Sequence, residues 1–192
     1  MRRNLITALL YTVITTIIFG IGYPFLVTGV AQILFRDKAN GQLLQRNGQL
    51  AGSRIIGQPF SAPNYFHSRP SAAGNGYDAA NSSGSNYAPT NNKLIDRVAG
   101  DTATTQVDHP SVNVPIDLVT ASASGLDPHI TPAAADFQVA RVARERNLNE
   151  AAVRQLVAKH TEGRQLGFLG EPRVNVLELN LDLDQAASST GR

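Results

Sequence analysis

Ser122, Ser124, Asp127 and His129 crowd one short stretch, residues 120–132 (TASASGLDPHITP), and supply the residue types of a Ser/His/Asp hydrolase. A hydroxyl would attack, an imidazole would take its proton, and a carboxylate would orient the base. The spacing argues against that chemistry, because no G-x-S-x-G elbow occurs and the members of a triad rarely come from one tight loop. An anchored, exported serine hydrolase therefore stands only as a remote alternative. The simpler reading is that the hydroxyls and Asp127 satisfy backbone groups of a turn leading into a capped helix. His67, His109, His129 and His160 are scattered without H-E-x-x-H spacing, so no metal site is expected. There is no cysteine, which removes disulfides, Cys-ligated metals and thiol nucleophiles together. Neither a Walker A loop nor a phosphorylatable aspartate motif is present. The residues point to an accessory protein with no catalysis of its own.

The charge distribution narrows the partners. Of 17 basic residues, Arg2 and Arg3 precede a long uncharged run; the other fifteen are matched by fifteen acidic residues from Arg36 onward. The part after residue 35 is thus neutral and offers no footprint for a phosphate backbone. Trp is absent and aromatics are 6%, so stacking platforms for single-stranded nucleic acid are not expected either.

Residues 4–35 carry no charge over 32 positions, against roughly 20 needed to cross a bilayer core. The middle, ALLYTVITTIIF, contains threonines whose hydroxyls can bond back to helix carbonyls in lipid. Gly20 and Gly22 punctuate the run, and Pro24 should kink or end its first section. A cleaved signal peptide is the competing reading, with Arg2-Arg3 as its basic region and Gly29-Val30-Ala31 at cleavage-like spacing. Signal h-regions span about 7–15 residues, however, and this tract is far longer. A retained anchor over residues 1–35 is the expectation. Basic residues flank both ends, so charge alone does not orient it; the short N-terminal tail favours an exported domain. Gly22 and Gly29, seven apart, could let another helix approach closely.

Residues 36–184 read as one α+β domain, followed by a tail, 185–192, expected to be disordered. Leu43-Leu44 and Leu50 flank Asn47-Gly48, a type I′ hairpin signal. Residues 68–92 contain no Val, Ile, Leu or Phe; they read either as a mobile surface loop or as a segment ordered by a partner. Residues 93–99 suggest a short helical turn, and 112–118 alternate like a half-buried strand with Pro115 at an edge or bulge. Thr131-Pro132 starts a helix to Arg146, with Phe137, Ala140 and Ala143 on one side and Arg141 and Arg146 outside. Asn149 caps a second helix; Leu148 and Val153 form a staple, Val153, Leu156, Val157 and His160 share a face, and Gly163 stops it. Residues 174–183 (VNVLELNLDL) read as a strand with a bulge near Val176-Leu177.

Motifs in fixed order then identify a family. They are GSRIIGQ-x-F over 52–60, YFHSRPS over 65–71, SGSN over 83–86, VTASASGLDPHI over 119–130, HTEGR over 160–164 and LGEPRVNV over 169–176. The chain resembles the C subunit of the bacterial Kdp-type potassium-transporting P-type ATPase from the anchor to about Leu183. One departure is Ser82-Ser83-Gly84, where the family often has a second glycine. The resemblance implies a single-pass inner-membrane subunit of a high-affinity, ATP-driven potassium uptake complex. Its partners there are a channel-like potassium-conducting subunit, an ATP-hydrolysing P-type subunit and a small hydrophobic peptide. The role implied is assembly and stabilisation, with Tyr65, Phe66, Arg69 and Asn86 as docking candidates beside Gly22 and Gly29. The resemblance also implies an alternative, a catalytic chaperone that raises the ATP affinity of the hydrolysing subunit. The chain alone would then bind no cofactor. ATP would be met only in the complex, through Ser122, Ser124, Gly125 and Asp127, a stretch loosely similar to the ATP-binding-cassette signature. An exported domain could not meet cytoplasmic ATP.

Overall fold

The structure, a computed structural model, describes residues 1–46 and 48–190. It divides into two compact units, Met1–Leu43 and Leu44–Arg192.

The first unit is dominated by one unbroken helical run, Arg2–Leu34, with a mean hydropathy of 2.1 over its most apolar window and no residue of that window buried. By length and composition it can cross a membrane. Helix α1 (Arg2–Thr15) passes into a π-helical stretch, Thr16–Gly22, and then into α2 (Tyr23–Leu34). The wide turn lies just before Pro24, whose missing N–H and bulky ring would break a regular ladder. The helix therefore widens instead of ending. Thr7 Oγ1 donates to the Arg3 carbonyl at 3.0 Å, and Thr15 Oγ1 to that of Tyr11 at 2.8 Å, as expected for hydroxyls in an apolar helix. A short helix α3 (Arg36–Ala39) follows, and the side-chain amides of Gln32 and Asn40 exchange two hydrogen bonds at 3.2 Å. That clasp extends the first unit past residue 35.

The second unit contains, but for its first residue, the hairpin of β1 (Leu43–Arg46) and β2 (Gln49–Ser53). Gly48 at its turn has φ +76°; Asn47, the other half of the expected turn, lies outside the described residues. Helix α4 (Asn92–Gln106) is capped by the Asn91 carboxamide and is a full helix, not the short turn expected at 93–99. A second small sheet has the order β3 (His129–Ile130), β5 (Arg173–Asn175), β4 (Thr161–Glu162), all antiparallel, with Ile130 opposite Val174 and Thr161 opposite the same residue.

Three helices close the core over this sheet. In α5 (Pro132–Arg146) Thr131 Oγ1 accepts from Ala134 N, Pro132 sits in the first turn, and Asn147 ends the helix in the left-handed region. In α6 (Glu150–Lys159) Asn149 accepts from Ala151 N; His160 is the C-cap, so the helix stops before Gly163. Leu148 and Val153 join the same core, as the staple reading requires. The third helix, α7 (Val176–Thr190), corrects two expectations. Residues 174–183 are not one bulged strand: the apparent phase shift marks a change from strand to helix. Val176, Leu177, Leu179 and Leu183 are buried, a helical spacing, and the buried Asn175 accepts from Glu178 N at 3.1 Å as the cap. The helical backbone runs on through Thr190, so 185–190 are not a structureless tail; Gly191 and Arg192 lie outside the described residues.

Residues 112–118 form no strand. Asp117, Leu118 and Val119 are buried consecutively around a 3-10 turn, Ile116–Leu118, while Ile116 points outward. Asp117 Oδ2 instead accepts from Thr131 N at 2.7 Å, tying this turn to the start of α5.

Candidate interaction site

The segment 65–86 and the turn 119–130 hold the residues that the sequence singles out, and the fold brings the two together. Ser71 is the hub. Its hydroxyl donates to the Gly125 carbonyl at 2.7 Å and accepts from the amides of Ala73 and Tyr77 at 3.2 and 2.7 Å. Ser82 Oγ donates to the Ser124 carbonyl, Ser83 Oγ to that of Ala72, and the Tyr77 hydroxyl to that of Arg69. Ala73 is fully buried. The stretch 68–86 is thus tied down by hydrogen bonds within the chain.

Close backbone approach explains the glycines here. Gly125 has φ +67°, and a Cβ on it would lie 2.6 Å from Ala73 N and 2.7 Å from the Ser83 carbonyl. A Cβ on Gly57 would meet the Asp127 carbonyl at 2.7 Å, where Gly57 N already donates to Leu126 O.

The polar side chains of the turn serve that geometry. Ser124 Oγ accepts from Leu126 N at 3.1 Å and Asp127 Oδ1 from His129 N at 3.0 Å, as the turn reading expects. Ser122 and Ser124 hydroxyls face each other at 3.4 Å, and His129 Nδ1 lies 3.4 Å from Asp127. Among the described residues no serine hydroxyl is hydrogen-bonded to His129, so an Asp–His pair exists without a nucleophile. Burial would raise the Asp127 pKa, but hydrogen bonds from His129 and the Arg69 guanidinium bring it below the ordinary carboxylate value. Among the described residues no group of three or more His, Asp or Glu side chains is placed to hold a metal ion.

The docking candidates have distinct surroundings. Phe66 has 0% exposure and belongs to the core. Its amide donates to Asn180 Oδ1 and its carbonyl accepts from Asn180 Nδ2, both at 2.9 Å; Gln138 does the same for His67 at 2.8 and 3.2 Å. Two buried carboxamides thus pair with the backbone of Phe66 and His67 as a neighbouring strand would. The Tyr65 hydroxyl donates to Asp184 Oδ2 at 3.1 Å, and the Arg146 guanidinium sits 4.6 Å over its ring. Arg69 reaches the Thr120 carbonyl at 3.3 Å and Asp127 Oδ2 at 3.2 Å. Asn86 takes φ +53° beside a cleft of about 390 Å³ lined by Ser71, Gly84, Ser85, Tyr87 and Arg97. In the first unit, a Cβ on Gly29 would meet nothing within 4 Å, leaving room at that face of the helix.

Two arginines expected outside α5 are inside. The Arg141 side chain has 5% exposure, pairs with Asp108 at 2.8 Å and donates to the carbonyls of Pro63 and Tyr65. Arg146 faces Asp184 Oδ1 at 2.7 Å and donates to the Asn64 carbonyl. These guanidiniums satisfy the carbonyls of an irregular segment that has no ladder of its own. A polar cleft of about 380 Å³ beside Arg141 is lined by His67, Arg69, Tyr77, Asp108 and Gln138.

Comparison with known proteins fits this architecture. The family described as KdpC, K+-transporting ATPase, c chain, matches residues 5–185. A potassium-transporting ATPase KdpC subunit of Koribacter versatilis is 66% identical over 184 residues, covering 96% of this chain and 95% of that protein. The counterpart from Acidobacterium capsulatum is 60% identical, covering 95% and 98%; that from Gemmatimonas aurantiaca is 54% identical, covering 99% and 96%.

Proposed function

The chain belongs to the KdpC family of K+-transporting ATPase c chains, and from that membership we propose that it braces the pump from outside the membrane. It is a non-catalytic subunit of a potassium-transporting ATPase. In this reading the helix Arg2–Leu34 spans the inner membrane with its N-terminus in the cytoplasm. The domain after it holds the potassium-conducting subunit and the ATP-hydrolysing subunit in register, with the small hydrophobic peptide and lipid around the anchor. The observation that carries the reading is chemical. The reactive-looking side chains Ser71, Ser124, Asp127 and Arg69 are engaged with the chain's own backbone and with one another, which suits a rigid brace and leaves no nucleophile assembled among the described residues.

The alternative, direct support of ATP binding through Ser122, Ser124, Gly125 and Asp127, gains no comparable support. The carbonyls of Ser124 and Gly125 already accept from Ser82 and Ser71, and Gly125 is closed against Ala73. The absence of native cysteine makes topology directly testable. A Ser111→Cys chain, at an exposed position, is treated in intact cells with a membrane-impermeant maleimide. Labelling without lysis supports the outer-face brace. Labelling only after lysis would place the domain beside cytoplasmic ATP and overturn the reading.

A further inference from the structure

The segment between β4 and β5 carries a feature that the fold does not use. Residues 163–172 are exposed throughout, yet they contain Leu166, Phe168 and Leu169, with Leu166 83% and Phe168 70% exposed. An exposed Leu alone is ordinary; three large apolar side chains on one tight loop are not. The loop is also stiff. Gln165 and Leu169 exchange two backbone hydrogen bonds at 2.9 Å, and Gly167 N and Phe168 N donate back to the carbonyls of Arg164 and Gln165. Arg164 and Glu171 pair at 2.6 Å. Leu166 is held at φ +53°, a conformation rare for a branched apolar residue, between Gln165 and Gly167 at φ +83°. Preorganisation of this kind lowers the ordering cost of binding.

We propose that the loop 163–172 is a docking tongue whose Leu166 and Phe168 fill an apolar pocket on a neighbouring protein subunit of the pump. The proposal rests on the subunit reading above and specifies one contact within it. Charge decides between a protein pocket and the lipid surface. Arg164 is neutralised by Glu171 and Arg173 by Glu162 at 2.9 Å, so the loop brings no surplus positive charge to anionic headgroups. It also lacks the Trp and Tyr that anchor loops at a bilayer interface. A neutral, rigid apolar plug suits a concave pocket, where a buried aromatic carries binding energy.

The test uses the full chain carrying Phe168→Cys, unique because the native chain has no cysteine. Maleimide labelling is followed by the mass of this chain, once alone in lipid nanodiscs and once in the purified pump in the same lipid. Rates are normalised to the denatured chain. The expected result is labelling about tenfold slower in the pump than in the nanodisc alone. Equal rates in the two samples overturn the proposal, and protection by the nanodisc alone assigns the loop to lipid instead. In parallel, Phe168→Asp, an exposed change that keeps the melting temperature, lowers recovery of the assembled pump by about tenfold. Full recovery overturns the tongue but leaves the subunit reading intact. Failure of the unaltered chain to co-purify with the pump overturns both.

Discussion

Four side chains whose identity decides the fold locally are Gln138, Asn180, Arg141 and His67. Asn180→Leu keeps volume but leaves the buried amide and carbonyl of Phe66 unpaired, costing about 2–3 kcal/mol. Chemical denaturation of the detergent-solubilised chain measures this. Arg141→Ala strands Asp108 and two carbonyls and should cost about 3 kcal/mol, whereas Arg144→Ala, three residues on and largely exposed, stays within about 0.5 kcal/mol. His67 gives the pH dependence. Burial, then the Arg141 charge, hold its pKa below the ordinary 6.5. The unfolded chain therefore takes up the proton first. This contribution to stability is intact above pH 6.5 and declines as the pH falls below it, until the folded imidazole itself protonates. His67→Gln should flatten the stability profile as the pH falls below 6.5. None of these roles could be read from residue type. An arginine on a helix is usually a solvated charge, and only the fold reveals that 63–67 is an irregular segment with carbonyls to satisfy.

Elements with local punctuation were legible, and those defined by distant contacts were not. Thr131-Pro132 and Asn149 announce α5 and α6, and both helices begin there. The start of α7 also carried a signal: Asn175 followed three residues later by Glu178 is a capping pattern, and Asn175 is the cap. Alternating leucines at 177, 179, 181 and 183 concealed it, because they match the period of a strand while Val176, Leu179 and Leu183 match that of a helix. Residues 112–118 alternate on paper yet have no strand to pair with, so local burial against α5 took over. The serine- and glycine-rich stretch 68–86 is held by hydroxyl-to-carbonyl bonds, which hydropathy cannot register. Its dependence on Gly125 is directly testable. Gly125→Ala forces a Cβ into Ala73 and a strained φ, costing about 2 kcal/mol and exposing 71–84 to proteolysis. Gly163→Ala, with nothing within 4 Å of the added carbon, should leave stability and proteolysis unchanged.

At the scale of the whole chain, a helix uncharged from residue 4 to 34 and long enough to span a bilayer leads into a domain many of whose polar groups are spent on its own backbone. In the role proposed above, such a chain contributes by being held in place and by holding others. Its first helix carries the small residues Gly22 and Gly29, and a Cβ on Gly29 would meet nothing within 4 Å. The direct test is to express the pump with this chain lacking residues 5–30 and to measure how much of the other subunits co-purifies, together with potassium-stimulated ATP hydrolysis. The account predicts that the shortened chain no longer co-purifies and that the assembled, potassium-responsive pump is lost. A pump of normal yield and turnover, recovered without this chain bound, would contradict it.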